Sequence, residues 1–133
     1  MKKILFVCVE NSCRSQMAEG FARKLGAGVI EAESAGSKPS GKVNPLAVEF
    51  MRERGIDLSV HKSKGLDQVA VDGWDYVVTM GCGDACPFVR SKSREDWSLP
   101  DPKKLSPDEF RKVRDRIEAK VAALLERLKW RDY

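Results

Sequence analysis

Cys8-Val9-Glu10-Asn11-Ser12-Cys13-Arg14-Ser15 sets a thiol, five further residues, an arginine and a serine directly behind the apolar run Ile4-Leu5-Phe6-Val7. The order suits one kind of chemistry. A thiol at the end of a buried strand, then a short loop of backbone amides, then an arginine opening a helix makes a receptor for a tetrahedral oxyanion. Amide nests and helix N-termini attract anions. An arginine fork grips two oxygens of an anion at once. The same positive potential turns a neighbouring thiol into a nucleophilic thiolate. Ser15 is placed to donate a hydrogen bond to Cys8. Glu10, Asn11, Ser12, Cys13 and Arg14 form the anion-binding loop in this reading. The plainer account makes Cys8 a core thiol and Arg14 a surface charge. The strand before and the amphipathic helix after favour the functional one.

Such a loop needs a rigid frame, and the punctuation of the chain supplies one. Lys3–Val9 reads as a strand buried on both faces. Arg14–Leu25 reads as a helix with Met17, Ala18, Phe21, Ala22 and Leu25 on one side and Gly26 as its stop. A second strand is expected within Gly28–Ala35, ending at the Gly36 turn, followed by a polar loop over Ser37–Val43. Asn44-Pro45 marks a helix start, with that helix running to Arg54 and Gly55 ending it. Ser63–Val69 is expected as a short helix and Asp75–Met80 as a third strand. Gly81–Arg94 reads as a long loop, Glu95–Leu99 as a fourth strand and Pro100-Asp101-Pro102 as a rigid turn. Ser106-Pro107-Asp108-Glu109 opens a last long helix that turns Phe110, Val113, Ile117, Val121, Leu124 and Leu128 inward. Alternating strands and helices predict an α/β fold, a three-layer sandwich with a four-stranded parallel sheet flanked by helices. Ligands are expected beyond the carboxyl ends of its strands. Cys8 and Cys82 both fall just past such ends.

The chain has 133 residues, which suits one domain over 1–133. Its net charge of +4 comes from interleaved acids and bases. That argues against nucleic acid, which needs a concentrated basic face. No apolar run approaches a membrane span, and Met1–Val7 is too short for a signal peptide. A cytoplasmic protein is expected, and a monomer by default. The four cysteines, at 8, 13, 82 and 86, then suggest catalytic, redox or metal roles over structural disulfides. Zinc is disfavoured, because Cys8 and Cys13 make a poor metal hook. Cys13 reads as a packed bystander and His61, the one histidine, as a surface or packing residue. The Arg90-Ser91-Lys92-Ser93-Arg94 run reads as a solvated loop face. It is also a possible docking point for an acidic partner.

Cys8-x-x-Asn11-Ser12-Cys13-Arg14-Ser15-Gln16-Met17-Ala18-Glu19-Gly20 resembles the signature of arsenate reductases built on the low-molecular-weight protein tyrosine phosphatase fold. The resemblance continues through Ser34-Ala35-Gly36, Asn44-Pro45, Gly55-Ile56-Asp57-Leu58-Ser59, Val77-Val78-Thr79-Met80 and Asp101-Pro102. It implies that Cys8 attacks arsenate held by Arg14 while Asp101 acts as general acid. Cys82 then attacks Cys8 and releases arsenite, and Cys86 takes over the disulfide. No bound cofactor or metal is implied, only an external thiol reductant: thioredoxin, or glutaredoxin with glutathione. Phosphate and sulfate would compete with arsenate. The three residues between Cys82 and Cys86 match neither reductant branch cleanly. Asn11, Glu19 and Ser34 correspond to residues that brace the loop and hold potassium in some relatives. Lys64 falls where those relatives have an aspartate, so its ammonium is expected in the cation's place, with no potassium requirement. Glu10 replaces a common glycine and is expected to point to solvent. Lys103 falls where phosphatases often have an aromatic residue. The alternatives are a low-molecular-weight phosphatase using Cys8, Arg14 and Asp101 on aryl phosphates, and a non-catalytic zinc or arsenite sensor.

Overall fold

The computed structural model describes residues 2–80 and 89–131. Four strands form one parallel sheet in the order β2-β1-β3-β4: β1 Lys2–Cys8, β2 Ile30–Gly36, β3 Trp74–Thr79 and β4 Ser91–Asp96. Ile4, Leu5, Phe6 and Val7 on β1 are fully buried, as are Val77 and Val78 on β3. Apolar side chains on both faces suit these two strands to the centre of a parallel sheet. The chain moves from β1 to β2 on one side, then crosses to β3 on the other. The carboxyl end of β1 is therefore the switch point where such sheets open a crevice for ligand. Cys8 is the last residue of that strand.

Three helices, α1 Arg14–Leu25, α2 Pro45–Arg52 and α3 Pro107–Arg131, share one core with Ile4, Phe6, Tyr76 and Val78. The boundaries of α1 are those the sequence predicts, and Met17, Ala18, Phe21 and Ala22 are buried as expected, but Leu25 at its last turn is exposed, because the helix end runs past the core. Asn44 caps α2, its side chain accepting from the Leu46 N–H at 2.8 Å, and Gly55 follows the helix at φ +74, a conformation that suits glycine. The six inward residues predicted for α3 are all buried. Among the described residues, the opposite face of the sheet, with Leu5, Val7, Trp74 and Val77, is covered by Val89 and by Leu66 and Val69 around the 3₁₀ turn Leu66–Gln68. That turn stands within the helix expected over Ser63–Val69. Among the described residues no helix is long and apolar enough to cross a membrane.

The fourth strand differs from expectation. It spans Ser91–Asp96 instead of Glu95–Leu99, and it takes in most of the Arg90–Arg94 run assigned to a solvated loop. β4 is an edge strand held by backbone pairing to β3, with half-exposed and exposed residues alternating. It carries no apolar stripe for a sequence pattern to reveal. Trp97 and Leu99, which suggested the later boundary, are buried beyond its end.

Candidate functional site

Residues 9–13 link β1 to α1 and curl around the Cys8 sulfur. Their carbonyls are drawn outward. Those of Cys8, Val9, Glu10 and Ser12 accept from the N–H groups of Ser37, Lys38, Ser40 and Asn44 at 2.8–3.2 Å. The Asn11 N–H points at the Cys8 sulfur, 3.2 Å away. Ser15 Oγ lies 2.8 Å from the same sulfur. It accepts from Asn11 Nδ2 at 2.8 Å, which leaves its own proton available to the sulfur. The Asn11 N–H and the Ser15 hydroxyl thus converge on Cys8. Gly36 is required beside the loop. A Cβ on it would come within 2.5 Å of the Val9 carbonyl oxygen and 2.8 Å of the Asn11 nitrogen.

Asn11 is the keystone. It is fully buried and sits at φ 50, a left-handed conformation unusual for a side chain larger than glycine. Each of its polar atoms is used. Nδ2 donates to Ser15 Oγ and, at 2.9 Å, to Ser34 Oγ. Oδ1 accepts from the Lys64 N–H and from Gln16 Nε2, both at 2.9 Å. The backbone oxygen accepts from Gln16 Nε2 at 3.2 Å. Ser34 passes the chain on to Glu19 Oε1 at 2.6 Å, and Glu19 Oε2 meets Arg23 at 2.8 Å. The predicted bracing set of Asn11, Glu19 and Ser34 is therefore one connected network.

Cys8, Glu10, Ser12, Cys13, Arg14 and Asp101 line a single small cup. Cys8 and Cys13 are both buried free thiols. Burial, with Asp101 and Cys8 nearby, pushes the Cys13 thiol up to about 12. Such a group stays protonated, which suits the bystander reading. Arg14 is buried and donates through Nη1 to the Leu99 carbonyl at 3.0 Å. It thereby anchors the segment that carries Asp101. Asp101 itself is exposed and caps the 3₁₀ turn Pro102–Lys104, accepting from the Lys103 N–H at 3.1 Å. Cys82 and Cys86 lie outside the described residues.

A profile for the low molecular weight phosphotyrosine protein phosphatases matches residues 3–132. The chain belongs to this family. It is 44% identical over 131 residues to the glutaredoxin arsenate reductase of Synechocystis sp., a match covering 96% of this chain and 99% of that protein. Arsenate reductase 2 of Staphylococcus epidermidis is 43% identical over 124 residues, 90% of this chain and 93% of the relative. A solved structure of an arsenate reductase in the phosphate binding state superposes with a TM-score of 0.89 at 44% identity, covering 96% of this chain and 98% of the other. The resemblance read from the motifs thus extends over nearly the whole length.

Two expectations for family positions need correction. The Lys64 ammonium does not stand among Asn11, Glu19 and Ser34. It reaches Glu33 at 3.1 Å, a partly solvated carboxylate, while its backbone N–H serves Asn11. The reason is that Glu19 and Asn11 are already satisfied by other donors. Glu10 does not simply turn to solvent. Its carboxylate lies 2.9 Å from the Lys103 ammonium at the rim of the cup, so the repulsion expected for an incoming anion is offset. Gln16 and the place of His61 were missed. Gln16 is fully buried. Its Oε1 accepts from His61 Nδ1 at 3.0 Å, and its Nε2 also reaches the Lys62 carbonyl at 3.0 Å. His61 lies 3.6 Å from Glu19, and burial holds its pKa below the usual histidine value. The signal available in sequence was the i, i+3 spacing of Gln16 and Glu19, which puts both on one helix face.

Proposed function

We propose that this protein reduces arsenate to arsenite with Cys8 as nucleophile and a thiol–disulfide cascade through Cys82 and Cys86. The observation that carries the reading is the convergence of the Asn11 N–H and the Ser15 hydroxyl on the Cys8 sulfur. That sulfur sits in a cup shared with Arg14 and Asp101. Arsenate binds the loop amides and Arg14. The Cys8 thiolate forms a bond to arsenic as one arsenate oxygen, protonated by Asp101, leaves as water. A Cys82 thiolate then attacks the Cys8 sulfur. The S–As bond breaks with its electron pair passing to arsenic, so As(V) becomes As(III), arsenite departs and a Cys8–Cys82 disulfide remains. Cys86 attacks Cys82, returns Cys8 to the thiolate and leaves Cys82–Cys86 for an external dithiol to reduce.

Chain connectivity supports the order. The Met80 N–H bonds the Val7 carbonyl at 2.8 Å, next to Cys8, and Cys82 is two positions further along the sequence. Glutaredoxin with glutathione or thioredoxin serves as reductant, arsenate competes with phosphate and sulfate, and the cytoplasm keeps the thiols reduced. The test is mass spectrometry of the thiols after one arsenate turnover. A Cys8–Cys82 or Cys82–Cys86 bond supports the mechanism. Unimpaired turnover in Cys82→Ser overturns it. In that event aryl phosphate hydrolysis by Cys8, Arg14 and Asp101 becomes the better reading.

A further inference from the structure

Asp101 is held between two contacts that both originate on the anion loop. On one side Arg14 Nη1 bonds the Leu99 carbonyl at 3.0 Å. On the other, Lys103 reaches Glu10 with its ammonium at 2.9 Å while its backbone N–H bonds the Asp101 carboxylate at 3.1 Å. Residues 99–103 thus form a short strap across the cup, stiffened by Pro100 and Pro102, whose rings fix φ. Arg14 and Glu10 are its two fastenings. The Arg14 fastening is buried. The Glu10–Lys103 fastening stands in solvent, its side chains 34% and 44% exposed. Glu10 raises the Lys103 pKa through their hydrogen bond, so the Lys103 ammonium keeps its charge across the working pH range.

We propose that Glu10 and Lys103 are a positioning pair: their ion bridge draws the strap down and sets where the Asp101 carboxyl stands over Cys8. This inference rests on the mechanism above in giving Asp101 the role of acid. It accounts for an acidic residue in a loop built to bind anions. Glu10 is neutralised by Lys103 and serves as an anchor, and the pair adds no net charge to repel or trap substrate. Because the bridge is exposed it is screened by salt, and the placement of Asp101 becomes sensitive to ionic strength.

The experiment uses the full chain in four forms: unaltered, Glu10→Gln, Lys103→Gln, and the swapped Glu10→Lys/Lys103→Glu. The first readout is the rate at which iodoacetamide alkylates Cys8, followed by mass spectrometry of the Cys8 peptide. It needs no arsenate chemistry. A purely electrostatic influence on the thiolate moves the two single variants in opposite directions, since one removes a negative charge and the other a positive one. A strap moves both the same way. Cys8 is 2% exposed, so loosening the strap speeds its alkylation, by about two- to fivefold for an exposed pair of this kind. The swap returns it to the original rate, and 1 M KCl speeds only the proteins that hold the bridge. The second readout is arsenite release in a single turnover, expected to fall about two- to fivefold in each single variant and to show no further fall when Asp101→Asn is already present. Opposite shifts in the two single variants, failure of the swap to restore, or losses that persist in full beside Asp101→Asn overturn the proposal. An unaltered protein inert to arsenate would count against the reductase reading alone, and the alkylation series still decides the strap.

Discussion

Asn11 and Glu10 are neighbours on one loop, yet they belong to two differently built regions. Asn11 is sealed from solvent, and its amide is saturated by Gln16, Lys64, Ser15 and Ser34. Glu10 stands at the rim, a third exposed, with one charged partner. The inner side fixes the shape of the loop through short, mostly neutral bonds in a dry setting, where leaving any one unmade is costly. The rim carries its charges where water and salt weaken them. Receptor geometry is thus built where it cannot drift, and the acid is placed by contacts that solution conditions can adjust. If that division is right, substitutions on the inner side cost stability and activity together. Substitutions at the rim change activity with little effect on stability.

The strongest way to break the comparison is Asn11→Ala. It strips the partners from two amide donor sites and two acceptor sites and leaves a Cβ residue at φ 50. The expected loss is about 3–5 kcal/mol of unfolding free energy, measured by urea denaturation, and about a hundredfold or more in arsenate turnover. Asn11→Gly relieves the backbone but not the amide. It is expected to recover only about 1 kcal/mol of that loss. A melting curve for Asn11→Ala matching that of the unaltered protein would end the distinction between the two regions.

Gln16→Leu is the next largest. The substitution keeps the volume but leaves the Asn11 carbonyl and the His61 Nδ1–H without their buried partner. The expected cost is about 1–3 kcal/mol, with turnover reduced about tenfold. Turnover reduced at unchanged stability would move Gln16 from the inner side to the rim in character.

How much of this was legible in sequence follows from where each signal lies along the chain. β1, β3, α1 and α3 were readable because their apolar spacing is local and most of the residues on their inward faces are buried. β4 was not, because a polar edge strand is specified by its neighbour's backbone and leaves no periodic stripe of its own. The same contrast holds in the site. Cys8, Arg14 and Ser15 declare themselves by spacing within eight residues. The link from Gln16 to His61 spans 45 residues and that from Glu10 to Lys103 spans 93; charge and size alone do not pair residues across such distances. Lys64 misled for the same reason. It does fall beside the bracing network, but its backbone N–H, and not its ammonium, does the bracing.

A smaller effect is expected from His61, which closes the inner network. Burial lowers its pKa in the folded protein. Glu19 and Asp57 oppose that shift, while Arg23 and Lys64 reinforce it. The unfolded chain therefore binds the proton more readily. Stability from this residue is fully present above about 6.5, its ordinary value, and is lost as pH falls through that value toward the folded one. The slope cannot exceed about 1.4 kcal/mol per pH unit, that of one proton. Urea unfolding between pH 5 and 8 should show this rise with pH, and His61→Gln should flatten it. Equal slopes in the two proteins would mean that His61 is not held neutral by its surroundings.

The smallest expected change is the one that sharpens the comparison most. Glu10→Gln removes a charge from the active loop itself, two residues from Cys8, yet the bridge it breaks is solvated on both sides. Exposed ion pairs of this kind contribute little to folding, so the melting temperature should stay within about 2 °C of the unaltered protein. Calorimetry in low and high salt checks this. With salt the two melting temperatures should converge further. A drop as large as that of Gln16→Leu would show that the rim carries structural weight, and the charged and neutral sides of the loop would then have to be treated as one cooperative unit.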